Sequence, residues 1–365
     1  MTARPEFDSR GRQRVKKGWI VKGTESMKKI ALMAVVAMVG AGVSVRAQAP
    51  PQMSPATAEA QQAQPQAPTP PAAPVNPFPA VNPKNFTATT PTVAEVNDFL
   101  KVVWGYSQER IWSVAAIQKT PAPGVVRVVV FAASKADPSK VNRNEFFVTP
   151  DGKHAIADAV IDFGVKPFAD RRATLQERAD GPGEGAASKQ LLLVEFADLL
   201  NEKSKDAQDT IDNLVKDFPQ ARLVVENLPS DSGPYAFRAA AEGVCVRKAK
   251  GDAAFFTYVQ AVFSKQQGLT AATLEPALGA AVTAAGGDPA SVAACADSQA
   301  AKDDVKASIA LGAEVGIDQA PVLVVNGRVL PLVGAPYETL KHIVAYQAQL
   351  DGITVNVQPT LSTLK

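Results

Sequence analysis

Histidine and cysteine are almost absent: the 365-residue chain has two of each. The histidines, His154 and His342, lie far apart, and the cysteines, Cys245 and Cys295, are 50 positions apart. A Cys/His zinc site needs about four clustered ligands, so no metal and no cofactor is expected. A Ser-His-Asp site would have to use one of the two histidines. His154 falls in a hairpin turn after Pro150-Asp151-Gly152-Lys153 and His342 on the last expected helix, and both read as surface residues. An excess of one charge sign is also missing. The 38 Lys and Arg against 36 Asp and Glu leave +2, with the signs interspersed, and no aromatic-plus-basic cluster stands out. Nucleic acid is therefore not an expected partner.

A 16-residue apolar run at 30–45 is too short for a membrane span, which needs about 20 residues. It is preceded by Met27-Lys28-Lys29 and followed by Arg46-Ala47-Gln48-Ala49. A basic start, an apolar stretch and small residues at the end read as a secretory signal peptide, with cleavage expected after Ala47 and the start at Met27. The alternative is an uncleaved N-terminal anchor facing the periplasm. Export places the two cysteines in an oxidising compartment, where one disulfide is the simplest reading. Residues 48–85 carry eleven prolines and only two charges, Glu59 and Lys84. Such a segment cannot bury enough apolar surface to offset its ordering entropy, so a disordered Pro/Ala/Gln-rich linker is expected. A proline-motif ligand is the alternative.

Residues 86–175 read as a small α+β domain. Thr92 and Glu95 fit a capping box, and Val93, Val96, Leu100 and Val103 then recur at helical spacing. About four strands follow. Trp112, Val114 and Ala116 alternate, 125–131 is β-branched, and Phe146-Phe147-Val148 and Ala155-Ile156-Ala157 flank an Asp151-Gly152 turn. Residues 172–190, with Asp180-Gly181-Pro182-Gly183-Glu184-Gly185, read as a turn-rich connection.

Residues 188–350 read as an α/β domain. The apolar run Leu191-Leu192-Leu193-Val194-Glu195-Phe196 has the pattern of a buried central strand. A helix with Ala207, Ile211, Leu214, Val215 and Phe218 on one face ends at Pro219, and Arg222-Leu223-Val224-Val225 follows as a strand. That is a parallel crossover unit. A mostly helical stretch spans 235–315. Two strands joined at Asn326-Gly327 and a last helix from Tyr337 close the domain, and 351–365 is a tail.

Several strings give this order an identity. They are Val194-Glu195-Phe196-Ala197-Asp198, Phe218-Pro219, Asn227-Leu228-Pro229, Ala294-Cys295-Ala296-Asp297-Ser298, Gly316-Ile317-Asp318-Gln319-Ala320-Pro321 and Pro336-Tyr337-Glu338-Thr339-Leu340. Over about 160 residues they resemble the DsbA-like thioredoxin family, implying a thioredoxin-like fold with a helical insertion. Phe147-Val148-Thr149-Pro150-Asp151-Gly152-Lys153-His154 resembles the N-terminal dimerisation domain of DsbC/DsbG-type isomerases over about 20 residues. A spacer domain is the alternative there.

The family carries Cys-x-x-Cys at a helix N-terminus, where unpaired N–H groups and the helix dipole stabilise a thiolate. The resemblance aligns that motif with Asn201-Glu202-Lys203-Ser204. Neither Asn201 nor Ser204 can form a thiolate, and Asn201 is a good helix N-cap. Ser204 as a nucleophile is the alternative, but no nearby base is suggested. Ala320-Pro321 matches the family's cis-proline, whose loop pairs with extended substrate peptide; a purely structural turn is the other reading. The resemblance also implies that Cys245 and Cys295 form a structural disulfide, with a displaced redox pair as the alternative.

The expectation is thus an exported, tethered thioredoxin-fold protein that is redox-inactive at the usual site. It would bind extended or unfolded polypeptide, or a periplasmic partner protein, as a monomer or as a homodimer through residues 86–175. The alternatives are a thiol–disulfide oxidoreductase using Cys245 and Cys295, and a structural module of the envelope.

Overall fold

The computed structural model describes residues 76–157, 160–230, 234–267 and 269–356. The signal region at 1–47, the linker up to residue 75 and the tail beyond 356 lie outside the described residues.

The N-terminal domain is one helix on a meander of five strands. Helix α1 (Val93–Trp104) opens on the capping box: the Thr92 hydroxyl accepts the Glu95 N–H at 3.2 Å, and the Thr92 N–H donates to the Glu95 carboxylate at 2.7 Å. Val96, Phe99 and Leu100 bury one face of α1. Val93, read as part of that stripe, is 42% exposed in the first turn, whereas Val102 is buried. Strands β1 (Arg110–Lys119), β2 (Val126–Ser134), β3 (Asn142–Val148), β4 (His154–Ile156) and β5 (Val160–Asp162) pair in sequential antiparallel order. The helix packs on the face carrying Val114, Ile117, Val128, Val130, Phe146 and Val148. The β3–β4 turn is tied by Asp151, which accepts the Lys153 N–H at 2.9 Å, and Gly152 takes the positive φ the turn requires, +68°. The fifth strand was not expected; at three residues it is too short to show alternation.

Helix α2 (Ala169–Arg178) and strand β6 (Gly183–Gly185) correct the boundary placed at 175 and the turn-rich reading of 172–190. Leu175 and Ala179 pack into the core of the C-terminal domain, so the boundary falls between Asp162 and Ala169. The helix is mostly polar and is docked by hydrogen bonds. The Arg171 guanidinium donates to the carbonyls of Val315 and Gly327, and Gln176 to that of Lys189. Arg172 forms an ion pair with Asp351 at 2.7 Å. Strand β6 needs glycine, because a Cβ at Gly185 would sit 2.4 Å from the Ala221 carbonyl oxygen, and its φ is +82°.

The C-terminal sheet has the order β10-β9-β7-β8-β6. Strand β7 (Leu191–Ala197) runs parallel to β8 (Ala221–Asn227), and α3 (Glu202–Asp217) is the crossover between them. Helices α4 (Pro234–Lys250), α5 (Asp252–Lys265), α6 (Leu274–Ala284), α7 (Pro289–Ala296) and α8 (Gln299–Glu314) follow. Strands β9 (Val322–Val325) and β10 (Arg328–Pro331), joined by Asn326-Gly327, and α9 (Tyr337–Leu350) close the domain.

Every residue of β7 is buried, as a strand covered on both faces must be. The two-residue period divides it. Leu191 and Leu193 join Leu223, Val225, Leu323 and Val325 against α3, α9 and the insertion. Leu192, Val194 and Phe196 join Val224 and Val324 against α2 and α8.

Candidate functional site

Strand β7 ends at Ala197 and delivers the chain through Asp198-Leu199-Leu200 to the start of α3. The turn is built around the buried Asp198 carboxylate, 2% exposed. One of its oxygens accepts the Leu200 N–H at 2.9 Å and the other accepts the Ser230 N–H at 3.0 Å. Gln266 donates to the Leu199 carbonyl at 3.0 Å.

Asn201 is the N-cap of α3, its Oδ1 accepting the Lys203 N–H at 2.9 Å. Its Nδ2 donates across the site to the Ala320 carbonyl at 3.3 Å, and the Ala320–Pro321 peptide bond is cis. Glu202 and Lys203 point to solvent. Ser204 is fully buried, and its hydroxyl accepts the Asp198 N–H at 3.2 Å. That hydroxyl pins the first turn of α3 to the end of β7 and has no open face, so the nucleophile alternative has no access to substrate.

Beneath the helix start lies Glu195, 1% exposed on the central strand. Gln208 of α3 spans from the Ser204 carbonyl at 3.1 Å to the Glu195 carboxylate at 3.0 Å. Burial pushes the Glu195 carboxyl up to about 7, more than the Gln208 hydrogen bond lowers it, and Asp212 and Glu184 push the same way. A charged residue inside the apolar run 191–196 was a visible sign of this buried acid. Gln208, Gln266 and the Asp198–Ser230 bond gave no sign, since their partners are remote in sequence.

Residues 197–346 match the protein family described as Thioredoxin. The C-terminal domain has a thioredoxin-like fold. Similar solved structures include a thioredoxin-like oxidoreductase from Silicibacter pomeroyi DSS-3, 20% identical over 49% of this chain and 98% of that one, with a TM-score of 0.42. A periplasmic thioredoxin-like protein from Salmonella enterica serovar Typhimurium is 19% identical over 49% and 95%, with a TM-score of 0.41. Oxidised BdbD from Bacillus subtilis is 21% identical over 47% and 94%, with a TM-score of 0.42. No curated protein matches the chain.

In this thioredoxin domain the structure brings Asn201 and Ala320 together and sets Cys245 and Cys295 elsewhere. The two cysteines are bonded to each other, with Cα atoms 6.0 Å apart, joining α4 to α7 within the insertion. Cys245 is 2% exposed. His154 sits on β4 of the N-terminal domain between Asp151 at 3.4 Å and Asp162 at 3.7 Å, and His342 is on α9. Among the described residues no group of three or more His, Cys, Asp or Glu side chains is arranged to hold a metal ion. Nor is any helix among them long and apolar enough to cross a membrane.

Proposed function

We propose that this is an exported thioredoxin-fold protein that binds extended polypeptide, free or as part of a partner protein, without thiol–disulfide exchange at the start of α3. The observation that carries the reading is the state of that helix start. Asn201 caps it and Ser204 is buried beneath it, so the position that would present a thiolate instead presents an amide beside the Ala320-Pro321 loop. Ala320 in that loop is half-buried, and an extended segment could add to its main chain there. Export is supported by the basic, apolar and small-residue pattern of 27–49, and residues 48–85 would act as a tether. The N-terminal domain would serve as spacer or dimer contact.

The test pairs two assays on the mature protein. Suppression of aggregation of an unfolded client together with no reduction of insulin is the expected outcome. Insulin reduction that disappears in Cys245→Ser would establish the thiol–disulfide alternative instead. Absence of both activities, with no captured peptide, would leave a structural role in the envelope.

A further inference from the structure

The Asn201 amide is engaged at both ends. Its oxygen is committed to the Lys203 N–H, which orients the amide and leaves the nitrogen to face the Ala320 carbonyl. At Ala320 the two main-chain groups are in different states. The carbonyl is taken by Asn201, whereas among the described residues no main-chain or side-chain group accepts the Ala320 N–H. An extended segment adding to an open edge pairs with both groups of one residue. Here one of the two is free and the other is covered by a side chain of the same molecule.

We infer that Asn201 is a latch on the peptide-docking edge. Its Nδ2 covers the Ala320 carbonyl in the empty protein, and a main-chain N–H of an arriving extended polypeptide displaces it. This rests on the peptide-binding reading above and adds to it the residue that sets affinity. Asparagine suits the role. Serine and aspartate cap a helix comparably, but serine is too short to span to Ala320 and an aspartate carboxylate has no donor. A single neutral hydrogen bond has a small net worth, so the latch lowers affinity by roughly two- to tenfold and does not abolish binding.

The test measures binding of fluorescein-labelled, reduced and carboxymethylated α-lactalbumin, an unfolded probe without free thiols, by fluorescence anisotropy on the mature chain. Asn201→Ser, which keeps the cap and removes the donor, is expected to bind roughly two- to tenfold tighter than the parent. Parent and variant both failing to bind would overturn the peptide-binding reading and the latch with it. A parent that binds, with a variant that binds equally or more weakly, would overturn the latch alone. A second measurement does not depend on the variant folding. In the parent, saturating probe is expected to shift the Asn201 side-chain amide resonances and speed their hydrogen exchange. Unchanged signals under saturation would also overturn the latch.

Discussion

The Arg328 guanidinium donates to the main-chain carbonyl of Val102 at 2.6 Å, a bond between residues 226 positions apart that joins the two domains. Arg328 also donates to the Val103 carbonyl at 3.2 Å and to Gln347 at 3.0 Å, and lies 4.5 Å from the centre of the Phe168 ring. Tyr346 donates its hydroxyl to the Lys101 carbonyl at 2.5 Å. The Val102 and Val103 carbonyls, which have no partner within their own helix, are thus satisfied by Arg328 of the thioredoxin domain, while the Lys101 carbonyl accepts the Tyr346 hydroxyl in addition to the Gly105 N–H at 2.9 Å. A cation suits that position, the negative end of the helix dipole. Burial pushes the guanidinium down to about 10, which leaves it protonated at neutral pH.

Arg328→Met keeps the bulk and leaves the Val102 and Val103 carbonyls without their donor. A loss of about 2–4 kcal/mol is expected, read as a lower urea midpoint. Tyr346→Phe removes one hydrogen bond, and a loss of about 1 kcal/mol is expected. An Arg328→Met protein as stable as the parent would show that the two domains do not depend on this contact.

The Cys245–Cys295 bond closes a loop with a sequence separation of 50. In the chain-entropy model that constraint is worth roughly 4 kcal/mol, so the Cys245→Ala/Cys295→Ala protein is expected to lose about that much in urea unfolding. Thiol titration of the unfolded, unreduced parent is expected to find no free thiol.

Glu195 gives a pH dependence whose sign follows from its raised carboxyl. Between the unfolded value near 4.5 and the folded value of about 7, the native state holds a proton that the unfolded state has released. Stability contributed by this group is therefore full below about pH 4.5 and falls as pH rises through 7. Glu195→Gln is expected to flatten that slope and raise stability at pH 8, by up to about 3 kcal/mol. Unfolding curves of both proteins at pH 5, 6, 7 and 8 test this, and parallel pH profiles would contradict it.

Restoring thiols at the helix start tests whether the frame around the missing chemistry is intact. In Asn201→Cys/Ser204→Cys the first thiol would stand where unpaired N–H groups and the helix dipole favour a thiolate. Its pKa is expected below the ordinary value of about 8.5, with insulin reduction gained relative to the parent. A folded double variant with an ordinary thiol pKa and no activity would show that the geometry has drifted along with the residues.

Much of the fold was legible because its signals are local. The capping box at Thr92 and Glu95, the turns at Asp151-Gly152 and Asn326-Gly327, and the buried run 191–196 each depend on a few neighbouring residues, and each forms where those residues place it. Helix α2 shows the limit. Its sequence, ADRRATLQER, has no apolar stripe, and it is held by Arg171 reaching carbonyls 144 and 156 positions away. Strands β5 and β6 have three residues each, too few for a period-two pattern to show, and form by pairing with a neighbouring strand.

The candidate site divides in the same way. The sequence by itself determined that positions 201 and 204 carry an amide and a hydroxyl, because thiol chemistry is a property of residue type. Only the tertiary structure decided that the Ser204 hydroxyl is buried, that Glu195 is held near neutrality, and that Asn201 reaches a carbonyl 119 positions away. Burial and hydrogen bonding are set by what the fold packs around a side chain, and those neighbours come from distant parts of the chain.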